Sequence, residues 1–361
     1  QMTTVTLAGA KGNGSSISGA GAMSLNYVRA DVVALIDSQS SRSGLSVANS
    51  GTGAVEALGD IHVIARDTSH INTGTGMVSK AGSGGSGAGA AIGVADIQNS
   101  VTAAIQGVKV TSQAGDVSVR AAEEARIINA AVGVAVTSGS TGFGFAGTVV
   151  ANKIQNTIDA HISMSADVEA GGSVLVLAED TASIATLAGA AARGGSAAVG
   201  AAIAVNEVYD SVFAIIDNST VLANSGDIRV DASFREPSSL PPGLNSQIAA
   251  LAISGATNDK VAFAGSFTIN LISNQVEAKI SNIGDLNQNA NRYGGADIHA
   301  GRAIRVLAVD SSTSNSIAGA LAYGGKAGFG ASLSYTYLGD TSSTWNEPED
   351  SRVIAAMENI S

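Results

Sequence analysis

One short phrase returns six times along this chain, and it constrains the fold more than anything else in the sequence. It is an alternating apolar run centred on Ala and closed by Ile or a near relative. The copies are Val32-Val33-Ala34-Leu35-Ile36, Val101-Thr102-Ala103-Ala104-Ile105, Ile158-Asp159-Ala160-His161-Ile162, Val212-Phe213-Ala214-Ile215-Ile216, Val276-Glu277-Ala278-Lys279-Ile280 and Val353-Ile354-Ala355-Ala356-Met357. Their central alanines lie 69, 57, 54, 64 and 77 residues apart, so a base unit of about 55 residues is lengthened by insertions. A unit of that size cannot bury its own apolar face, whereas stacked units bury each other's.

Two further phrases keep step with the first. Gly59-Asp60-Ile61-His62-Val63, Gly115-Asp116-Val117-Ser118-Val119, Gly172-Ser173-Val174-Leu175-Val176 and Gly226-Asp227-Ile228-Arg229-Val230 follow it, with a looser copy at Ala303-Ile304-Arg305-Val306. A run rich in Gly and Ala precedes it, as in Val199-Gly200-Ala201-Ala202-Ile203-Ala204-Val205 and Phe263-Ala264-Gly265-Ser266-Phe267-Thr268-Ile269. All three phrases have a period of two and favour Val, Ile and Thr, which is strand chemistry. A helical turn is weighed only over Arg120 to Ile128, and Ala178 to Thr181 reads as a turn.

The expected fold is all-β: a β-solenoid, a parallel β-helix-like stack of about six units, with an antiparallel layered meander as the alternative. Three coils of about 19 residues per unit, or one large flattened coil with four corners, both fit the spacing. The chain reads as one elongated repeat domain, 1–361, with approximate units 1–77, 78–137, 138–190, 191–254, 255–321 and 322–361. Small inward Ala and Gly imply closely approaching sheets. Extra length enters at 39–53, 234–244, 284–297 and 341–352, which places those stretches at exposed corners. All 4 prolines fall there, as expected of residues that cannot donate to a ladder.

Composition excludes several functions. A hydrophobic share of 45% is too high for a disordered chain. With 19 bases against 30 acids the net charge is −11, which argues against nucleic-acid binding. The most apolar stretch, Ala185 to Val205, is broken by Arg193, Gly194, Gly195 and Ser196, so membrane insertion by a helix is not expected. The absence of Cys removes disulfides and thiol chemistry.

Residues with catalytic or ligand-binding chemistry are scattered. His62, His70, His161 and His299 show no metal-ligand spacing. Asp67-Thr68-Ser69-His70 contains triad residue types, but triads are defined by geometry and not by adjacency. Gly82-Ser83-Gly84-Gly85-Ser86-Gly87 lacks the Lys-Ser/Thr of a phosphate loop. No catalytic, cofactor or metal residues are assigned, and the chain is not expected to be an enzyme; turn aspartates Asp116, Asp210, Asp217 and Asp227 leave room for weak structural calcium. Asn26, Asn152, Asn206 and Asn270 recur at one position of the unit, either as a hydrogen-bonded ladder or as turn residues. Tyr335, Tyr337 and Trp345 form a candidate contact patch or a plug over the last layer.

The phrases 200–206, Val212-x-Ala214-x-Ile216, Asn218-Ser219-Thr220 and Gly226-Asp227-Ile228-x-Val230-x-Ala232 resemble the repeats of large secreted bacterial surface proteins. These are filamentous-haemagglutinin-like and leukotoxin-type filamentous adhesins and autotransporter passenger regions. The resemblance covers nearly the whole chain, is compositional, and carries no catalytic residues. It implies an extracellular or cell-surface structural stalk. The chain opens and stops inside a unit with no polar cap, so the expected partner is itself, in a longer array or a head-to-tail polymer. The alternative is a binding module whose inserted loops recognise a glycan or a host surface.

Overall fold

The computed structural model describes residues 1–14, 16–38, 53–236, 246–281, 297–339 and 352–358. The described residues contain strands, turns and bends but no helix. Among the described residues every pairing between strands is parallel. The antiparallel meander is therefore not formed, and the fold is a parallel β-solenoid.

One repeat makes one coil. Ala160 lies beside Ala103 and Ala214, Ala178 beside Ala121 and Ala232, and Asn206 beside Asn152 and Asn270. The fourth coil shows the path. Ser183–Gly194 runs out along sheet A, the chain reverses at Gly195 and Ser196, and Ala197–Val208 returns along sheet B. Ser211–Asp217 then enters sheet C, Thr220–Ala223 enters sheet D, and Ile228–Phe234 rejoins sheet A. Sheet A holds 9 strands, sheets B and C hold 6 each and sheet D holds 5. The pass through sheet A that follows sheet D, such as Val174–Asp180, is its first pass and the run that leads to sheet B, such as Ser183–Gly194, its second; in Ile61–Ser83 and Val117–Ser138 the two are one continuous strand.

That continuity settles the two uncertain segments. Arg120 to Ile128 is strand, because coils on both sides pair with it. Glu179 and Asp180 end the strand Val174–Asp180, and the break falls at Thr181 and Ala182. The insertions 39–53, 234–244, 284–297 and 341–352, apart from their flanks, lie outside the described residues, as do the four prolines and Trp345.

The cross-section has two parts with different interiors. Sheets C and D and the first pass of sheet A enclose an aliphatic core that includes Ile105, Val119, Ile158, Ile162, Val176 and Ile216, all 0% exposed. Each such side chain contributes about 1.5–3 kcal/mol on burial. The second pass of sheet A and sheet B form a thin blade. Its interior is mostly Ala, including Ala131, Ala188, Ala198, Ala202 and Ala252.

Glycine allows the blade's sheets to approach so closely. A β-carbon on Gly144 would overlap the Arg193 backbone, and one on Gly200 would overlap Gly255. Side chains reach the opposite backbone directly: Thr148 Oγ1 donates to the Gly189 carbonyl at 2.7 Å and Ser79 Oγ to the Ser18 carbonyl at 2.8 Å. Most larger side chains turn outward, and Met77 fits inside only because Gly89 lacks a β-carbon there. In Ala197–Val208 the buried residues start Ala198, Gly200, Ala202, Ala204, while Val199, Ile203 and Val205 face out.

Candidate functional site

Three polar columns run through the stack, each built from one position of the repeat. The first lies where sheet D turns into sheet A. Asp60 Oδ1 accepts the Asp116 N–H at 2.8 Å, and Asp116 Oδ1 accepts the Ser173 N–H at 2.7 Å. Ser173 Oγ accepts the Asp227 N–H, and Asp227 Oδ1 accepts the Ala303 N–H, both at 3.1 Å. The Gly-Asp phrase is thus a corner device in which each side chain satisfies the backbone of the coil above.

The second column is inside the blade. Asn152 Nδ2 donates to Asn206 Oδ1 at 2.8 Å, and Asn206 Nδ2 donates to Asn270 Oδ1 at 2.8 Å. Facing strands add to it: Asn129 Nδ2 donates to Asn152 Oδ1 at 2.7 Å, and Thr186 Oγ1 donates to Asn206 Oδ1 at 2.5 Å. Asn26 stands apart, because Ala95 occupies the second coil at this position. It accepts from Thr4 Oγ1 at 2.6 Å and donates to Thr73 Oγ1 at 2.8 Å.

The third column, at the turn from sheet B to sheet C, consists of Asn99, Asn156, Asp210 and Asn274. Asn99 Oδ1 accepts the Ala30 N–H at 2.8 Å, and Asn156 Oδ1 accepts the Asn99 N–H at 3.0 Å. Asp210 Oδ1 accepts the Asn156 N–H at 2.6 Å, and Asn274 Oδ1 accepts the Asp210 N–H at 3.1 Å. Across the interior from it stand Asp67, Glu123 and Asp180, register partners in sheet A. Asn99 Nδ2 donates to Asp67 Oδ2 and to Glu123 Oε1, each at 2.9 Å.

This juxtaposition gathers carboxyl groups away from water. Burial pushes Glu123 up to about 8, with the charges of Asp67 and Asp210 adding to the effect and the Asn99 hydrogen bond opposing it. Burial also raises Asp210, to about 6, against hydrogen bonds from Asp180 and the Asn156 backbone. Asp180 is raised well above the usual carboxylate range, first by burial and then by Asp210 and Glu123. Asp180 and Asp210 thus face each other away from water, where burial and their mutual repulsion both favour the protonated form of Asp180. The cluster is enclosed, at 0% to 4% exposure for Asp180, Asp210 and Glu123.

The remaining sequence candidates are dispersed. Ser69 is buried and bonds Asp67 Oδ2 at 2.5 Å, while His70 points to the other face, 3.6 Å from Glu124, so no triad assembles. His62 is exposed at the corner, 4.0 Å from Asp60 Oδ2, and His299 is exposed on sheet D. His161, on the outside of sheet C, lies 3.0 Å from Asp159 through Nδ1 and 2.6 Å from Gln106 through Nε2. Asp217 Oδ1 accepts from Ser281 Oγ at 2.9 Å. Among the described residues no three His, Asp or Glu side chains are placed to hold a metal ion. Tyr335 and Tyr337 follow Phe329 and Leu333 along the outer face of sheet B, and Trp345 lies outside the described residues.

The corner column of Asn99, Asn156, Asp210 and Asn274 was not singled out from the sequence. A signal was present: these positions are 57, 54 and 64 residues apart, in step with the repeat. The one Asp among three Asn disguised it. No family model, no curated protein and no solved structure matches the chain.

Proposed function

We propose that this chain is a structural repeat segment of an extracellular bacterial filament or adhesin stalk. The observation that carries the reading is that cohesion comes from layer-to-layer pairing. All four sheets run through the stack, and the polar columns join one coil to the next. Such a stack lengthens by adding layers without any change of design. Within the chain, the outermost strands, such as Met2–Lys11 in sheet A and Arg352–Glu358 in sheet C, pair on one side only. A further layer, of the same array or a second copy, fits those edges.

In this reading the chain performs no catalysis, and its interior polar groups serve packing. Imaging and light scattering of the purified chain over a concentration series test the self-assembling form. Rods that lengthen along the stacking axis are expected. Particles that stay single at the highest concentration overturn it. Deleting residues 237–244, which leaves the buried Phe234 and its strand in place, separates the stalk from a binding module: assembly and surface binding both persist for the stalk, whereas a module loses binding alone.

A further inference from the structure

The blade is apolar on its outside, and sheet B shows this most regularly. Along the outer face of its six strands, one row is Gly21, Ala90, Gly147, Ala201, Gly265 and Ala331. The next row, two residues on, is Met23, Ile92, Val149, Ile203, Phe267 and Leu333. A groove of small residues therefore runs beside a ridge of large ones, parallel to the stacking axis. Rows of mainly larger apolar residues flank this pair, and Phe263 and Phe329 stack there with ring centroids 5.2 Å apart. Charge enters only at the far row, with Asp96, Lys153 and Glu207.

Several of these side chains are well exposed: Met23 58%, Phe267 42%, Phe329 57% and Leu333 57%. Six strands about 4.8 Å apart and five apolar rows about 6.7 Å apart give a face of roughly 650 Å² in plan. Its accessible area is larger, and a stable complex hides about 800 Å² per partner. Monomeric soluble proteins seldom leave a flat apolar face of that extent open.

We infer that the outer face of sheet B is a lateral docking surface for a second copy of this chain. The row order makes the face complementary to itself. A two-fold axis along the stacking direction, midway between the Gly/Ala row and the Met/Ile/Val/Phe/Leu row, lays each copy's ridge in the other's groove. The same operation covers every remaining row and leaves the charged row at the rim, as an isologous interface requires. The two stacks stay parallel, so the contact continues with each added layer. The outer side of the blade's other sheet is less suited: Asn72, Lys80, Arg193, Thr257 and Asn315 interrupt it. Lipid is disfavoured by the absence of a basic rim and by the net charge of −11.

The test is sedimentation equilibrium of the intact chain, compared with V149E/F267E and with F213E on the outside of sheet C. The expected result is a dimer at micromolar concentration for the wild-type chain and F213E. V149E/F267E should raise the dissociation constant at least 100-fold with an unchanged circular dichroism spectrum. A wild-type chain that is monomeric up to about 100 µM overturns the inference, and so does side-by-side pairing that V149E/F267E leaves intact. Where the chain also stacks axially, wild-type rods should be paired and V149E/F267E rods single, and rods of equal width in both would remove lateral pairing. Flotation of a monomeric wild-type chain with phosphatidylcholine vesicles would assign the face to lipid and overturn the proposal.

Discussion

Gly172 sits directly over Asp116: a β-carbon on Gly172 would overlap the Asp116 Oδ1 that accepts the Ser173 N–H. The same relationship links Gly115 to Asp60 and Gly226 to Ser173. The glycine of the corner phrase is therefore set by the side chain of the coil beneath it. Gly172→Ala is expected to cost about 1–3 kcal/mol, as overpacking does. Gly59, where an added β-carbon would meet nothing within 4 Å, is the control, and Gly59→Ala should stay within about 0.5 kcal/mol. Urea denaturation of the two variants checks both.

Asn206 is the middle of the blade ladder, fully buried and bonded to Asn152, Asn270 and Thr186. Asn206→Ala removes the donor that Asn270 Oδ1 uses. A buried polar group left unpaired costs about 1–3 kcal/mol. Thermal unfolding should show that loss. By contrast, Arg120→Ala, which breaks an ion pair with Glu179 at 45% and 39% side-chain exposure, should change stability by less than about 1 kcal/mol.

The corner between sheets C and D takes a left-handed backbone in three successive coils. Gly107 (φ 60°), Met164 (φ 61°) and Asn218 (φ 42°) adopt it in successive coils. Gly and Asn tolerate this conformation, whereas Met carries a steric penalty of about 1–2 kcal/mol. Met164 is 61% exposed, so little packing would be lost on replacement. Met164→Gly should therefore raise stability by about 0.5–1 kcal/mol, read as a higher urea midpoint.

The buried carboxyls predict that stability falls as pH rises. In the unfolded chain these groups ionise near pH 4. In the folded chain Asp210 holds its proton to about 6, Glu123 to about 8, and Asp180 well above its ordinary value. Between those limits the folded state binds more protons, so the unfolding free energy declines with pH. The contribution is fully present below about pH 4 and is lost as pH rises through the folded-state values. Denaturation midpoints should drop between pH 5 and pH 9. Glu123→Gln, which cannot ionise and can still accept from Asn99, should flatten that slope.

Strand content, and the Ala and Gly facing into the blade, were legible because period-two patterning and side-chain size report directly on a pleated, closely packed surface. The number of coils per repeat was not, because alternation says nothing about where a chain turns. Arg120 to Ile128 looked partly helical through Ala121, Ala122, Glu123 and Glu124, yet pairing on both sides overrides local propensity. Of the candidate residues, the Asn column stood out because Asn152, Asn206 and Asn270 are identical. Asn99, Asn156, Asp210 and Asn274 did not, because each alone reads as a turn residue. The carboxyl cluster depends on a contact across the interior between Asp180 and Asp210, which no linear spacing encodes.

One coil per repeat is the claim on which the account rests, and disulfide trapping tests it most directly. Thr157 and Ser211 are register partners on the outer side of sheet C, within the Cα separation of about 4.4–6.8 Å that a disulfide spans. The chain has no Cys of its own, so a T157C/S211C variant reports only this pair. The account predicts near-complete intramolecular bond formation in the folded protein under mild oxidation. It would be contradicted if T157C/S211C stayed reduced while T157C/L175C, positions that coils of about 19 residues would bring together, formed the bond instead.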